Sequence, residues 1–199
     1  MAFGDFKFPQ VQHDLGLTLS EADLFPDTEP LSPRADFLDA LRAGARVGLR
    51  INTEKARSEF LIAPVLLELH RLTGEAFGLF SGVDLDGDAS QGPNGICDFI
   101  LTRSPVILTL SAPPVTIVEA KNDNVVNGLG QCIAAMVAAR MFNDRSGTPI
   151  PALHGVSATG SAWKFLRLEG NALTSDTREY YISEVGYLLA ILRRILTGS

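Results

Sequence analysis

Cysteine is scarce in this chain of 199 residues: Cys97 and Cys132 are the two it has. They give no disulfide framework, and no histidine pairs with them in a zinc spacing. Both are expected as reduced core thiols of a cytoplasmic protein. Long hydrophobic runs are also missing. Apolar stretches end at about eight residues, against the ~18 a bilayer span needs, so no membrane association is expected. The start, Met1-Ala-Phe-Gly-Asp-Phe-Lys7, has no basic region followed by an apolar core and reads as no secretory signal. Positive charge is in the minority, with 17 Lys+Arg against 23 Asp+Glu and a net charge of −6. A general nucleic-acid coat protein binds by neutralising phosphates, so that class is disfavoured, while a local basic groove is not. Internal repeats and low-complexity segments are absent as well. What is present, 46% hydrophobic and 20% charged residues, is a globular composition. A chain this long buries roughly 70% of its unfolded surface and folds without staples.

Residues 1–50 have their own style and are expected as an N-terminal arm and helices that pack on the core or on a partner subunit. Phe3, Phe6, Phe8 and Phe25 are interleaved with Pro9, Pro26, Pro30 and Pro33. Ser20 before Glu21 and Asp23 predicts a short helix, and Ser32-Pro33 a second one reaching toward Gly48. Residues 51–199 are expected as the main domain. A helix is predicted over 53–72, capped at Asn52 or Thr53 and ended by Gly74, with Ala56, Phe60, Ala63, Leu66 and Leu67 as its apolar face and Pro64 as a kink. Glu59 then falls on that apolar face, which is costly without a partner. Strands are predicted at 77–80, 97–102, 106–110, 115–120, 153–157 and 163–168, with an edge strand at 180–182. Helices are predicted at 128–142, rich in alanine for close packing on a sheet, and at 184–196. The order implies an α/β fold, a central mixed β-sheet flanked by helices.

Chemistry concentrates at two strands. Asp98 interrupts Ile96-Cys-Asp-Phe-Ile-Leu101, otherwise a core strand. Glu119 and Lys121 lie in Val115-Thr-Ile-Val-Glu-Ala-Lys121 and, at period two, point to one face. The connection between them is long enough to bring Asp98 and Glu119 together across a ladder. Two adjacent carboxylates repel unless a cation or a shared proton lies between them. Mg²⁺ (or Mn²⁺), held by Asp98, Glu119 and a backbone carbonyl at Ala120, answers that need and leaves positions for water and phosphate. Lys121 would orient or help deprotonate the water, and Gln131 on the next helix would look back into the site.

Asp98, Glu119-Ala-Lys121, Glu59 on the preceding helix and Gln131 on the following one together resemble the PD-(D/E)XK nuclease superfamily, across residues 51–168. The flanking segments are similar to a cyanobacterial-type group within it. The resemblance implies a restriction-endonuclease-like core in which Asp98 and Glu119 hold Mg²⁺, Lys121 assists the attacking water, Glu59 and Gln131 are accessory, and a phosphodiester is hydrolysed. Cys97 stands where the family usually has proline. The implied partner is nucleic acid, DNA ahead of RNA. A protein partner supplying contacts, or a homodimer formed through the N-terminal arm or C-terminal helix, is a further expectation. The rival reading is a silent binding or assembly module in which Lys121, Asp98 and Glu119 form a buried ion-pair network.

Other signals are weaker. Asp84-Leu-Asp86-Gly-Asp88 has Ala89 and Gly95 where a calcium loop needs glycine and a bidentate acid, so a solvated acidic turn is expected. Gly128-Leu-Gly130 lacks the context of a phosphate loop. Trp163, beside Lys164 and Arg167, reads as core before it reads as a base-stacking platform. His13, His70 and His154 share no motif. Lys55, Arg57, Arg103 and Lys164 are the few basic residues available near the site.

Overall fold

Among the described residues, turn-bounded β-branched and aromatic runs form most of eight strands, and the alanine-rich and leucine-rich segments form helices on both faces of the sheet they build. The computed structural model describes residues 1–87, 92–106, 108–110 and 113–198. The helices are α1 (Val11–Asp14), α2 (Ala35–Ile51), α3 (Glu54–Arg57), α4 (Ala63–Leu72), α5 (Val125–Arg145) and α6 (Val185–Thr197). The strands are β1 (Thr18–Ala22), β2 (Gly78–Asp86), β3 (Asn94–Thr102), β4 (Pro114–Ala120), β5 (Leu153–Ala158), β6 (Ala162–Glu169), β7 (Ala172–Asp176) and β8 (Tyr180–Tyr181). They form one mixed sheet in the order β1-β7-β6-β5-β4-β3-β2, with β8 also on β6. The pairs β1/β7 and β4/β5 are parallel and the others antiparallel. The expected α/β architecture is the one observed.

β4 is buried along its whole length, as a central strand covered on both faces must be. On one face α5 lies against β4 and β5, and Cys97, Cys132, Ile133 and Met136 join the core there. This 21-residue helix is apolar enough to cross a bilayer by length and composition, but the sheet buries most of it. Phe3 and Phe6 are buried in the same core, so the aromatic arm lies on its own domain. The opposite face carries α4 and α6 over Leu101, Val118, Val156 and Trp163. Each fully buried aliphatic or aromatic side chain contributes about 1.5–3 kcal/mol, and both faces are lined with them.

Four expectations are corrected. Ser20 does not cap a helix; it lies in β1, with its hydroxyl 3.2 Å from Thr174 Oγ1 on β7. Leu17 and Leu19, two apart, enter the core, and this period of two together with β7's free edge overrides the capping signal. β7 itself, short and polar, carried no strand signal. The predicted strand over 106–110 does not form: Val106 and residues 108–110 are irregular, Leu108 is 92% exposed, and Ile107 lies outside the described residues. Of the acidic turn, Asp84 and Asp86 belong to β2, and residues 88–91 lie outside the described residues.

The fourth correction moves a site residue. The helix predicted over 53–72 is three pieces, with a π turn over Ser58–Ile62 between α3 and α4. Pro64 has no N–H to give the Phe60 carbonyl, and its ring would crowd that oxygen, so the chain widens by one residue instead. The wide turn shifts the apolar phase. Leu61, Ile62, Val65, Leu66 and Leu69 are fully buried, while Phe60 and Leu67 are turned outward at 37% and 60% exposure. Gly44 on α2 lies against the freed carbonyl, where a Cβ would stand 2.6 Å from Phe60 O. α2 thereby clamps the π turn.

Candidate active site

β3 and β4 pair as far as Phe99↔Val118, and the next position along brings Asp98 opposite Glu119. There the ladder opens. The Ala120 N–H donates to Asp98 Oδ2 at 2.8 Å, so a carboxylate occupies the fork between the strands. At Ala120 it is therefore the amide N–H that the structure brings to Asp98. On the other side, Gly82 lies opposite Asp98 between the Ser81↔Phe99 and Val83↔Cys97 pairs, with φ at 65°. That left-handed conformation suits glycine and leaves the strand irregular beside Asp98.

Glu119 is 1% exposed. Its Oε1 accepts from Lys121 Nζ at 2.7 Å, as two residues on one face of β4 can. Burial, and after it the charge of Asp98, push the Glu119 carboxyl up to about 8, against the pull of Lys121. Lys121 is 14% exposed at its side chain. Burial weighs on it most, but Glu119, by charge and hydrogen bond, and Glu54 and Asp98 by charge outweigh this and raise it, so it stays a cation. Gly128, at the start of α5, lets the helix close on this group: a Cβ there would stand 2.2 Å from Ser157 Oγ and 3.1 Å from Lys121 Cγ. Ser157 Oγ donates to Val125 O at 2.6 Å and ties α5 to β5 behind the lysine.

The acid that reaches Lys121 from the helical segment is Glu54, 3.5 Å from its Nζ. The sequence pattern singles out Glu59 as the accessory acid of that segment. Thr53 caps α3 through the Ala56 N–H at 3.1 Å, which fixes Glu54 as its first residue. The Thr53 cap was legible, so Glu54 was findable; counting in 3.6-residue turns across an unseen π turn placed Glu59 on the apolar face instead. Glu59 is half exposed and ion-paired with Lys55 at 2.8 Å. Even so, both acids face one cavity of about 320 Å³, lined also by Ser58, Ser81 and Asp98. Gln131 is half-buried on α5, one turn beyond Gly128, and has no hydrogen bond to the acids or to Lys121 among the described residues. Arg57 is committed elsewhere, to Thr159 O at 2.8 Å and Ser161 Oγ at 3.3 Å.

Among the described residues no group of three or more His, Cys, Asp or Glu side chains is close enough to hold a metal by itself. The donor set present, two neighbouring carboxylates of which one is buried and forced to keep its proton, does suit a hard cation such as Mg²⁺. That ion takes one or two carboxylates and keeps most of its waters. The thiols are not ligands of this site: Cys97 and Cys132 are wholly buried, and burial raises both. Trp163 is core, its Nε1 donating to Gly160 O at 3.0 Å. In comparisons with known proteins, no protein-family model matches the chain and no curated protein matches it.

Proposed function

We propose that the chain is a metal-dependent phosphodiester hydrolase, a nuclease of the PD-(D/E)XK type acting on nucleic acid, DNA ahead of RNA. One observation carries this reading. A buried carboxylate, Glu119, is held beside a second, Asp98, in the fork of two strands, with Lys121 on the same strand and face and a cavity alongside. A folded core has no structural need for two neighbouring carboxylates that share one lysine, and perturbed groups of this kind gather at functional sites.

Asp98 and Glu119 would hold Mg²⁺ or Mn²⁺, which when bound supplies a Lewis acid for the phosphate and a more acidic water. Lys121, kept in place by Glu119 and Glu54, orients the attacking water and offers its positive charge to the phosphate oxygens. Water attacks phosphorus, the P–O bond to the leaving strand breaks, and that oxygen takes up a proton. Ser58, Ser81 and Lys55 line the cavity wall and would contact the sugar-phosphate chain. With a net charge of −6 and Lys55 as the cation lining this cavity, basic contacts from a protein partner or a second copy would strengthen duplex binding.

A second reading has its own support: Lys121 already bridges Glu119 and Glu54, as in a metal-free ion-pair network of a silent binding module. A divalent-metal thermal shift separates the two. Folded-state binding raises the melting temperature, whereas a closed ion-pair network is indifferent to the metal.

A further inference from the structure

The strand ends opposite the Asp98–Glu119 fork form a second cavity, of about 370 Å³, lined by Arg103, Arg167, Arg194, His154 and Phe25 and, among the described residues, by no carboxylate side chain. Val115, also in its wall, is four residues from Glu119 along β4, ~13 Å at strand rise, so this cavity is distinct from the first. Four elements supply its arginines and histidine. Arg103 follows β3, His154 and Arg167 are direct cross-strand partners on β5 and β6, and Arg194 comes from the last turn of α6.

Three guanidinium groups around one cavity repel one another, and little in the structure offsets that. The Arg103 guanidinium has no ion pair or hydrogen bond among the described residues. Arg167 meets Glu169 through Nη2 at 3.1 Å, but its Nε is buried without a hydrogen-bond partner. A buried unmatched donor carries the desolvation cost of a lost hydrogen bond. Arg194 uses Nη1 on Pro26 O at 3.3 Å and on Thr28 Oγ1 at 3.5 Å. Burial, then Arg167 and Arg103, hold His154 well below its ordinary value, at about 4, so it adds no fourth charge and can both donate and accept. Phe25, 6.2 Å from the imidazole centroid, closes one wall.

We infer that this arginine-lined cavity at the far end of the sheet binds a phosphate-bearing ligand of about diphosphate size. Guanidinium forks match phosphate oxygens two at a time, and a multiply charged anion relieves the repulsion among three of them as a single carboxylate does not. The Arg103 fork, which has no partner among the described residues, and the Arg167 guanidinium, which lines the cavity, are the donors offered to it. The site stands independently of the proposed nuclease reading.

The test is calorimetric titration of the full chain with inorganic pyrophosphate at low ionic strength, with chelator present. Wild type, Arg103→Gln, Arg167→Gln and Glu119→Gln are compared. Binding is expected in wild type and in Glu119→Gln, and about ten-fold weaker or worse in each arginine variant. Arg103 is exposed and has no side-chain partner among the described residues, so its variant folds, which a thermal melt checks. No binding of millimolar pyrophosphate to wild type, or binding that survives both arginine substitutions, overturns the inference. Competition then identifies the source: displacement by a 5′-phosphorylated oligonucleotide but not by its 5′-hydroxyl form supports a strand end, and displacement by ADP alone supports a free nucleotide.

Discussion

Replacing Glu119 by glutamine should make the metal-free protein more stable, not less. An unfolded glutamate titrates near 4.5, whereas burial and Asp98 hold the folded Glu119 near 8. Between those values the folded state keeps a proton that the unfolded state has released. A raised folded value therefore contributes stability below pH 4.5 that is lost as pH climbs toward 8. Each pH unit inside the window costs about 1.4 kcal/mol, so by pH 7 the loss reaches about 3 kcal/mol. Glutamine still accepts from Lys121 through its amide oxygen but never has to ionise. In a domain of this size that is a gain of ~6–12 °C in melting temperature at pH 7, shrinking to nothing near pH 4.5. The assay is thermal or urea unfolding of both proteins at several pH values with chelator present. A variant equally destabilised at every pH would show that Glu119 is a structural hydrogen-bond partner whose charge costs nothing, and the reasoning would be refuted.

Other expectations follow from the same site and its supports. Mg²⁺ or Mn²⁺ should raise the melting temperature of wild type more at pH 8 than at pH 6, because the proton on Glu119 must leave first; Asp98→Asn and Glu119→Gln should lose most of that rise. Lys121→Met should keep the metal-induced shift yet slow cleavage by about 10²-fold or more, measured in single turnover. Gly44→Ala should destabilise by about 1–2 kcal/mol in urea unfolding, even though alanine favours helix by ~1 kcal/mol, since its Cβ meets the Phe60 carbonyl at 2.6 Å. At the other end of the sheet, His154 is lowered from 6.5 to about 4 on folding. The unfolded state thus takes up a proton first as pH falls through that window, and stability should drop by up to about 3 kcal/mol, a slope that His154→Leu flattens.

The sheet and its two covering layers were legible because their signals are local. Val115–Ala120 is a buried strand by composition, and the alanines of α5 announce close packing. Asp98, Glu119 and Lys121 were legible for the opposite reason: they break an otherwise apolar strand pattern. β1 was hidden because its partner, β7, lies more than 150 residues further on, and β7, although it pairs locally with β6, is too short and polar to carry a strand pattern. Glu59 was assigned to the wrong face because of Pro64. The consequence of a missing N–H, one extra residue in the turn, cannot be counted without knowing that α2 lies across it, and it shifts the face on which every acid of that segment falls. The basic cavity was invisible for a simpler reason, since Arg103, Arg167 and Arg194 lie far apart in the chain and meet only when four strands and α6 are in place.

A cleavage assay on duplex DNA, single-stranded DNA and RNA, with Mg²⁺, Mn²⁺ or chelator, beside Asp98→Asn and Glu119→Gln, tests the proposed activity most directly. Metal-dependent cutting of at least one substrate, lost in both variants while their folds persist, is the expected result. Cutting that survives Glu119→Gln, or no cutting together with no metal-induced thermal shift, would contradict it and leave the buried acids as part of an ion-pair network.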